Sequence, residues 1–595
     1  MAEQRSGSLV NRRQVVAGAA GGAAAIALAT TGAGAAPSSG GASALRAQGT
    51  ANLPTPRAET LVVEQSTNNV WDSFNPYIPN GEAYNYGLSQ VARENMFVAN
   101  FLTGETTPWL GAKYTYNDDF TQITLELNPN VKWSDGQPFT SADVEFSENL
   151  YLKNSNLSGA SSFIENVKAV TAKDEHTIVY DLTRAQPRFH YRFIAGIIAD
   201  GMRVVPKHIW EKEDVNTFKF NPPVYTGPYT LKESGADKLL YAWQKNPDYW
   251  NKANFDPAPG YVVYVQQTAV DTAVQDFLAG NVDVTSADYL NQQVIASQDQ
   301  NTSSFQFPDP CPRGVWFNAE SPSGLFATPE GRWAISYLID RETIGKTVWQ
   351  PETVPATYPW ASYEGWKKWA PDSVMSKYDV SYNPDKAVEL LTKLGATKNG
   401  DTMEFNGKPI SLRMITPATT AGAEYQIGQT IVQAAQAIGI AIDLKSLPGS
   451  AFGDAFALGE WDLTSHWICG MQFDPDQLFT NFHSRNYVPI GTRSVNGGDP
   501  GATRFKNADF DKLIDQMDDV NPDDPKNEEL FFKGLDKFME LLPCTPIIQT
   551  IYPFMFSTKV WTGWPDMNDM AHATIPANWW GQFLFTIGNL KKAGS

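Results

Sequence analysis

The stretch from Ile123 to Leu152 constrains the fold of this chain more than any other. Ile123 to Leu127 alternates apolar and polar side chains, the pattern of a strand with one buried face. Asn128-Pro129-Asn130 breaks that strand. Ser134-Asp135-Gly136 makes a second turn, in which Gly136 is free to take a positive φ. Thr140 is a good N-cap, and Asp143 stands at the capping-box spacing from it. A helix is therefore predicted from Ser141 through about Leu152. Taken alone, this is an ordinary strand-turn-helix unit.

The same mixture continues along the chain. Strand-like runs include Thr60–Glu64, Ile123–Leu127, Thr177–Leu182, Tyr261–Gln266 and Ile440–Leu444. Amphipathic helical runs include Ser141–Leu152, Thr268–Leu278, Gly331–Ile339, Pro384–Leu394 and Tyr425–Ile438. The fold class is α/β, and a length of 595 residues ordinarily means three or four domains. No repeat, coiled coil or long low-complexity segment follows residue 57.

Residues 1–36 read as a twin-arginine signal peptide. Asn11-Arg12-Arg13-Gln14-Val15-Val16 is the basic region, and Ala33-Gly34-Ala35 suits cleavage between small residues. The stretch Ala17 to Ala36 holds only Ile26 and Leu28 as large apolar residues, so it partitions poorly into a bilayer as a permanent anchor. No cysteine follows it to carry a lipid. Residues 37–57, rich in Ser, Gly, Ala and Pro, read as a flexible leader. The expected location is the periplasm or the outer face of the cytoplasmic membrane, after folding inside the cell. Cys311, Cys469 and Cys544 are odd in number and far apart, so at most one bridge forms, and three buried free thiols fit equally well. The net charge of −19 argues against nucleic acid or an anionic membrane surface as a partner.

Signatures of catalysis are weak. Gly345-Lys346-Thr347 imitates the end of a phosphate loop, but Asp340 stands where its first glycine belongs. There is no His-Glu-x-x-His motif and no Gly-x-Ser-x-Gly elbow. Asp118-Asp119 and Asp518-Asp519 read as solvated loop residues rather than a glycosidase pair. His466, Cys469 and His483 read as polar groups lining a cleft rather than a metal set.

The run Trp133-Ser134-Asp135-Gly136 to Val144 resembles a hallmark of the solute-binding proteins of ABC importers in the oligopeptide, dipeptide and nickel class, family 5. Further segments resemble the same family, in family order. They are Val205-Pro206-Lys207-His208, Thr226-Gly227-Pro228-Tyr229 with Asn246-Pro247-Asp248-Tyr249-Trp250, Leu278-Ala279-Gly280-Asn281-Val282-Asp283, and Gly331-Arg332-Trp333 with Ile339-Asp340-Arg341. The resemblance implies a three-lobed periplasmic-binding-protein-like fold (type II, cluster C) with a hinge and a ligand cleft between lobes. Lobe I would combine residues 58–84, 221–310 and 546–595. Lobe II would be 85–220, and lobe III 311–545. It implies a binding protein rather than an enzyme, a monomer without cofactor or metal, and an ABC permease with its ATPase subunits as partners.

The resemblance also bears on the ligand. Where dipeptide and oligopeptide binders of the family carry an Asp for the peptide ammonium, this chain has Met471. Where dipeptide binders carry Arg and Tyr for the carboxylate, it has Ala418 and Thr420. Aromatic, amide and other polar residues remain at the family's cleft positions. They are Trp71, Phe74, Asn75 and Tyr77 in the N-terminal loop, then Trp316, Asn318, Trp360, His466, Trp467, Gln472 and Asp474, with Met471 among them. Aromatic faces stack on pyranose rings, and amides satisfy hydroxyls. Asn578-Trp579-Trp580 also resembles the sugar-binding members. The expected ligand is an oligosaccharide; the alternative is an oligopeptide, and the remote alternative is a secreted carbohydrate-active enzyme.

Overall fold

The computed structural model describes residues 53–594, apart from 66–69, 79–80, 83, 101–104, 195–201, 268–269, 288, 349–352, 418–422, 448–449, 472, 496–497 and 566–582. The signal peptide, most of the leader, Ala418, Thr420, Gln472 and Asn578-Trp579-Trp580 therefore lie outside the described residues.

Three sheets organise the chain. The largest has seven strands and draws them from distant parts of the sequence, in the order Thr302–Pro308, Ile551–Ser557, Val284–Ser286, Thr60–Gln65, Tyr261–Gln266, Leu240–Lys245 and Tyr229–Gly235. Thr60–Gln65 is buried at every position and runs parallel to Tyr261–Gln266, with Thr60 opposite Tyr261. A strand covered on both faces reads as a continuous buried run. Asp283 fixes this sheet to the end of the helix Val270–Leu278. It accepts from Val62 N at 2.9 Å and from Arg57 Nη2 at 2.6 Å, with no exposed surface of its own. Asp283→Ala is expected to cost about 2 kcal/mol in a denaturation experiment, since it strands a buried donor and a guanidinium.

The second sheet has four strands, Gly111–Tyr116, Gln122–Leu127, Thr177–Leu182 and Val167–Asp174. Ile123, Leu125 and Leu127 point into its core, as their alternation predicts. Helix Ser141–Lys153 follows the turn at Gly136, whose φ is +89°. Thr140 N donates to Asp143 Oδ2 at 2.9 Å, which completes the capping box. The other oxygen of Asp143 accepts from Lys207 N at 2.9 Å, so the cap also anchors the Val-Pro-Lys-His segment.

The third sheet has six strands, in the order Val354–Pro355, Cys544–Gln549, Arg313–Phe317, Leu463–Trp467, Ser411–Thr416 and Ala441–Ser446. Ser411–Thr416 and Ala441–Ser446 run parallel, joined through helix Ala423–Ala437. Buried arginines tie its helices to the strand Cys544–Gln549 and to the end of the helix Lys526–Leu541. Arg341 Nη2 donates to Thr545 Oγ1 at 2.9 Å, and Arg332 Nε donates to Leu541 O at 2.8 Å. Gly345-Lys346-Thr347 closes the helix Arg341–Thr347 instead of opening one.

Cys311 and Cys469 form a disulfide, with their Cα atoms 4.7 Å apart, while Cys544 is a buried free thiol. The bridge staples the start of Arg313–Phe317 to the segment leaving Leu463–Trp467. One expectation is corrected. Asp518-Asp519 ends the helix Ala508–Asp519, and Asp518 is buried rather than solvated, because three arginines surround it. Among the described residues, no helix is long and apolar enough to cross a membrane.

Candidate functional site: a cavity and an ion-pair seam between two sheets

Three arginines at intervals of four residues, Arg184, Arg188 and Arg192, follow the last strand of the four-stranded sheet and reach into the unit built on the six-stranded sheet. Arg188 is buried there. It pairs with Asp474, donates to Asn527 Oδ1, and donates through Nε to Met517 O at 2.7 Å. Its guanidinium carbon lies 4.9 Å from the centre of the Phe531 ring. Arg192 pairs with Asp476 and with Asp518 Oδ1 at 2.5 Å. Arg485 reaches the other oxygen of Asp518 at 3.2 Å. Tyr191 stacks on Phe473 with ring centres 4.3 Å apart. Burial alone would raise both aspartates. It prevails at Asp476, whose carboxyl is pushed up, while the arginines around Asp518 hold that carboxyl below the usual range.

Beside this seam lies a cavity of about 630 Å³, within the range of small-ligand sites. One wall comes from helix Ser141–Lys153 and the residues after it, the other from residues 477–500. Asn166, Gln477, Asn481 and Asn486 give it an amide lining, and Tyr151, Phe163 and Phe193 give it rings. Arg184, Arg192 and Arg485 on its wall share Asp518 and also reach Asp519, Asp476 and Asp515, while Arg203 and Glu165 line the cavity as well. Arg192 Nε and Thr480 Oγ1 are buried and make no hydrogen bond among the described residues. Glu148 also lines the cavity. It is 2 % exposed, and burial pushes its carboxyl up to about 8.

The residues expected from the sequence fall elsewhere. Phe74 packs edge-on against Tyr241 and Trp243, and Tyr77 OH donates to Arg203 O at 2.8 Å. Asn75 Nδ2 donates to Val215 O at 2.7 Å and Phe218 O at 2.8 Å. This loop therefore holds backbone together, which is what a buried amide side chain does when carbonyls surround it. Trp316 donates to Trp467 O at 3.1 Å, Asn318 to Gly459 O at 3.0 Å, and Trp360 to Trp366 O at 3.2 Å. All six are buried and belong to the core. Met471 is buried as well. Asp474 lines a smaller cavity of about 220 Å³ with Trp366 and Trp369, but its carboxylate already pairs with Arg188.

Trp71, His466 and Trp467 stay partly exposed. Trp71 stacks on Tyr241 at 5.1 Å. His466 Nε2 lies 3.2 Å from Asp499 Oδ1, and its ring meets those of Trp316 and Trp467. Arg313 lies over Trp467, 4.1 Å from the ring centre. None of the three lines the larger cavity. Asn481 links the two regions, since it lines that cavity and donates to Cys469 O at 3.5 Å. Sequence reasoning missed Glu148 and the arginine seam. The interval of four in Arg184, Arg188 and Arg192 was visible, but Pro187 excludes a continuous helix through it, and only Arg192 falls on a helical turn, His190–Ile194.

Residues 105–488 match the family model of the bacterial extracellular solute-binding proteins, family 5 Middle. A probable ABC transporter-binding protein of Deinococcus radiodurans is 27 % identical over 383 residues, 58 % of this chain and 62 % of that protein. The periplasmic oligopeptide-binding protein OppA of Salmonella typhimurium is 22 % identical, over 76 % of this chain and 82 % of OppA. A periplasmic oligopeptide-binding protein of Thermotoga maritima superposes with a TM-score of 0.79 at 23 % identity, covering 90 % of this chain and all of that one. A second crystal structure of it, with mannohexaose bound, gives 0.74 at 23 % identity, over 91 % of this chain and all of that one. This chain belongs to the family 5 extracellular solute-binding proteins of ABC transporters, and it is a binding protein, not an enzyme.

Proposed function

We propose that this protein captures an oligosaccharide outside the cytoplasm by lobe closure and delivers it to an ABC permease and its ATPase subunits. The observation that carries this reading is the cavity wall, in which four amides and three rings stand beside arginines that are paired to carboxylates. Amides and hydroxyls satisfy sugar hydroxyls, and rings desolvate the apolar faces of pyranoses. Two further facts support it. Met471 stands where the family resemblance implies a carboxylate for a peptide ammonium, and the Thermotoga relative was crystallised with mannohexaose. Export by the twin-arginine route with cleavage near Ala35, the lobe boundaries given above, and action as a monomer belong to the same proposal.

Closure is the mechanism. A ligand that touches both walls of the cavity binds the closed form better than the open one, and that difference in affinity shifts the population. The permease then receives the closed form. The reading extends the cleft towards Trp467, which does not itself line the cavity, on the strength of the bond from Asn481 on the cavity wall to Cys469 O. Trp467→Ala is expected to weaken saccharide binding by about 1–3 kcal/mol, read by calorimetry, as loss of a stacking platform does. Unchanged affinity would remove Trp467 from the site.

The second reading is an oligopeptide ligand, favoured by the peptide-binding names of the Salmonella and Thermotoga relatives. A thermal-shift screen of residues 37–595 separates the two, because a ligand that binds only the folded state raises its melting temperature. Stabilisation by manno- or cello-oligosaccharides with none from peptide mixtures supports the first reading. Stabilisation by peptides alone overturns it.

A further inference from the structure

We infer that Glu148 is the specificity-determining residue of the interlobe cavity, where its neutral carboxyl donates a hydrogen bond to an oxygen of the bound saccharide. The inference rests on the saccharide reading above and goes beyond it by naming the group that selects the ligand.

Glu148 sits on helix Ser141–Lys153, the same helix that brings Tyr151 to the cavity. It is almost fully buried, and yet, unlike the other buried acids of this region, it has no partner. Asp474, Asp476 and Asp518 each meet an arginine. Among the described residues, Glu148 has no hydrogen-bond or ion-pair partner. A buried acid without a partner costs free energy unless something completes it. The cavity is the place from which that partner can come.

The groups around it favour the protonated form. Tyr77 from the N-terminal loop, Tyr151 from its own helix and Tyr180 from the four-stranded sheet face it, and all three are neutral phenols. Arg203 and Arg192 stand on the cavity wall without pairing to it. Arg203 donates to Pro76 O at 2.6 Å, and Arg192 is committed to Asp476 and Asp518. With no cation paired to it, the carboxyl is held as an acid, consistent with its upward shift to about 8. A protonated carboxyl has an O–H to donate, which a carboxylate lacks. A sugar hydroxyl or ring oxygen accepts such a bond without introducing charge. The arrangement is therefore selective for neutral oxygen-rich ligands, and it loses its donor as pH rises.

The experiment uses the full mature chain and mannohexaose as probe, with affinity measured by calorimetry from pH 6.5 to 9.5. The wild type is expected to lose about tenfold in affinity across that range, as one charge-free hydrogen bond is removed. Glu148→Gln keeps a donor of the same shape that does not titrate, so its affinity is expected to be reduced but flat with pH. Glu148→Leu is expected to bind at least tenfold more weakly than wild type at pH 6.5, with an unchanged circular dichroism spectrum. Wild-type affinity that is flat with pH, or Glu148→Leu binding as tightly as wild type, overturns the role of Glu148. If mannohexaose and the other oligosaccharides do not bind while peptides do, the saccharide reading falls first. The same variants titrated with the stabilising peptide then decide separately whether Glu148 selects the ligand. A ligand-free arm runs alongside. If the melting temperatures of wild type and Glu148→Gln differ by the same amount at pH 5 and pH 9, Glu148 is not a neutral acid and the proposal fails.

Discussion

Arg188→Ala is expected to cost about 3–5 kcal/mol in denaturant unfolding and to open the molecule, the largest effect of any single side chain in the seam. The substitution removes a guanidinium that is 2 % exposed and leaves Asp474 and Asn527 buried, with Asp474 carrying an uncompensated charge. Removing one partner of a buried pair is more costly than never having built the pair, because the desolvation of the remaining ion is no longer offset. It also removes the bond to Met517 O and the contact with Phe531. All of these partners lie across the seam, so the loss falls on the joined state and not on either unit alone. Small-angle scattering should therefore show a larger radius of gyration in the ligand-free variant. Apparent ligand affinity should fall in proportion to the lost closed population. Asp474→Ala should recover part of the stability in the Arg188→Ala background, since the two side chains are coupled. A loss below about 1 kcal/mol would mean that the seam is solvated in solution and does not hold the two units together.

The second large effect is expected at the disulfide. Cys311 and Cys469 are 158 residues apart in sequence, and closing a loop of that length restricts the unfolded chain severely. The chain-entropy argument assigns about 5 kcal/mol to such a bridge. Reduction, or Cys469→Ser with Cys311→Ser, is expected to lower stability by that order while leaving Cys544 unreactive until the protein unfolds. The bridge also lies close to the proposed ligand region. Arg313, two residues from Cys311, covers the Trp467 ring, and Asn481 of the cavity wall donates to Cys469 O. Ligand affinity should therefore fall together with stability. Stability unchanged by reductant, with thiol counting that confirms the bridge is open, would show that the two strands are held by their pairing alone.

The pH dependence of stability carries a defined sign. Glu148 has a folded value near 8, above that of an exposed glutamate, so the folded state holds a proton that the unfolded state has released. Its contribution is fully present below the unfolded value and is lost as pH rises towards 8. Asp518 acts in the opposite sense, since its depressed carboxyl contributes stability that disappears only in strong acid.

Much of the fold was legible in the sequence. The alternation at Ile123–Leu127, the Thr140 and Asp143 cap and the turn at Gly136 each appear where the sequence puts them. So do the helices Pro384–Lys393 and Ala423–Ala437 within a few residues of their expected bounds. These features depend on residues only a few positions apart, and steric and hydrogen-bonding rules over that range do not need the rest of the molecule. The candidate site was not legible in the same way. A tryptophan at a family cleft position serves equally well as a platform or as core. Trp316 became core because distant Trp467 and Phe482 supplied an acceptor and a ring, and Trp360 because nearby Trp366 supplied an acceptor and distant Phe479 a ring. Arg188 meets Asp474 across 286 positions of sequence. Glu148 is one of three acids on the helix Ser141–Lys153 until packing removes its water and offers it no partner among the described residues. Local chemistry thus determined the elements and, through the resemblance of several motifs, the family. The tertiary structure alone decided which side chains lost solvent and which charges met, because burial and long-range pairing are properties of the assembled chain.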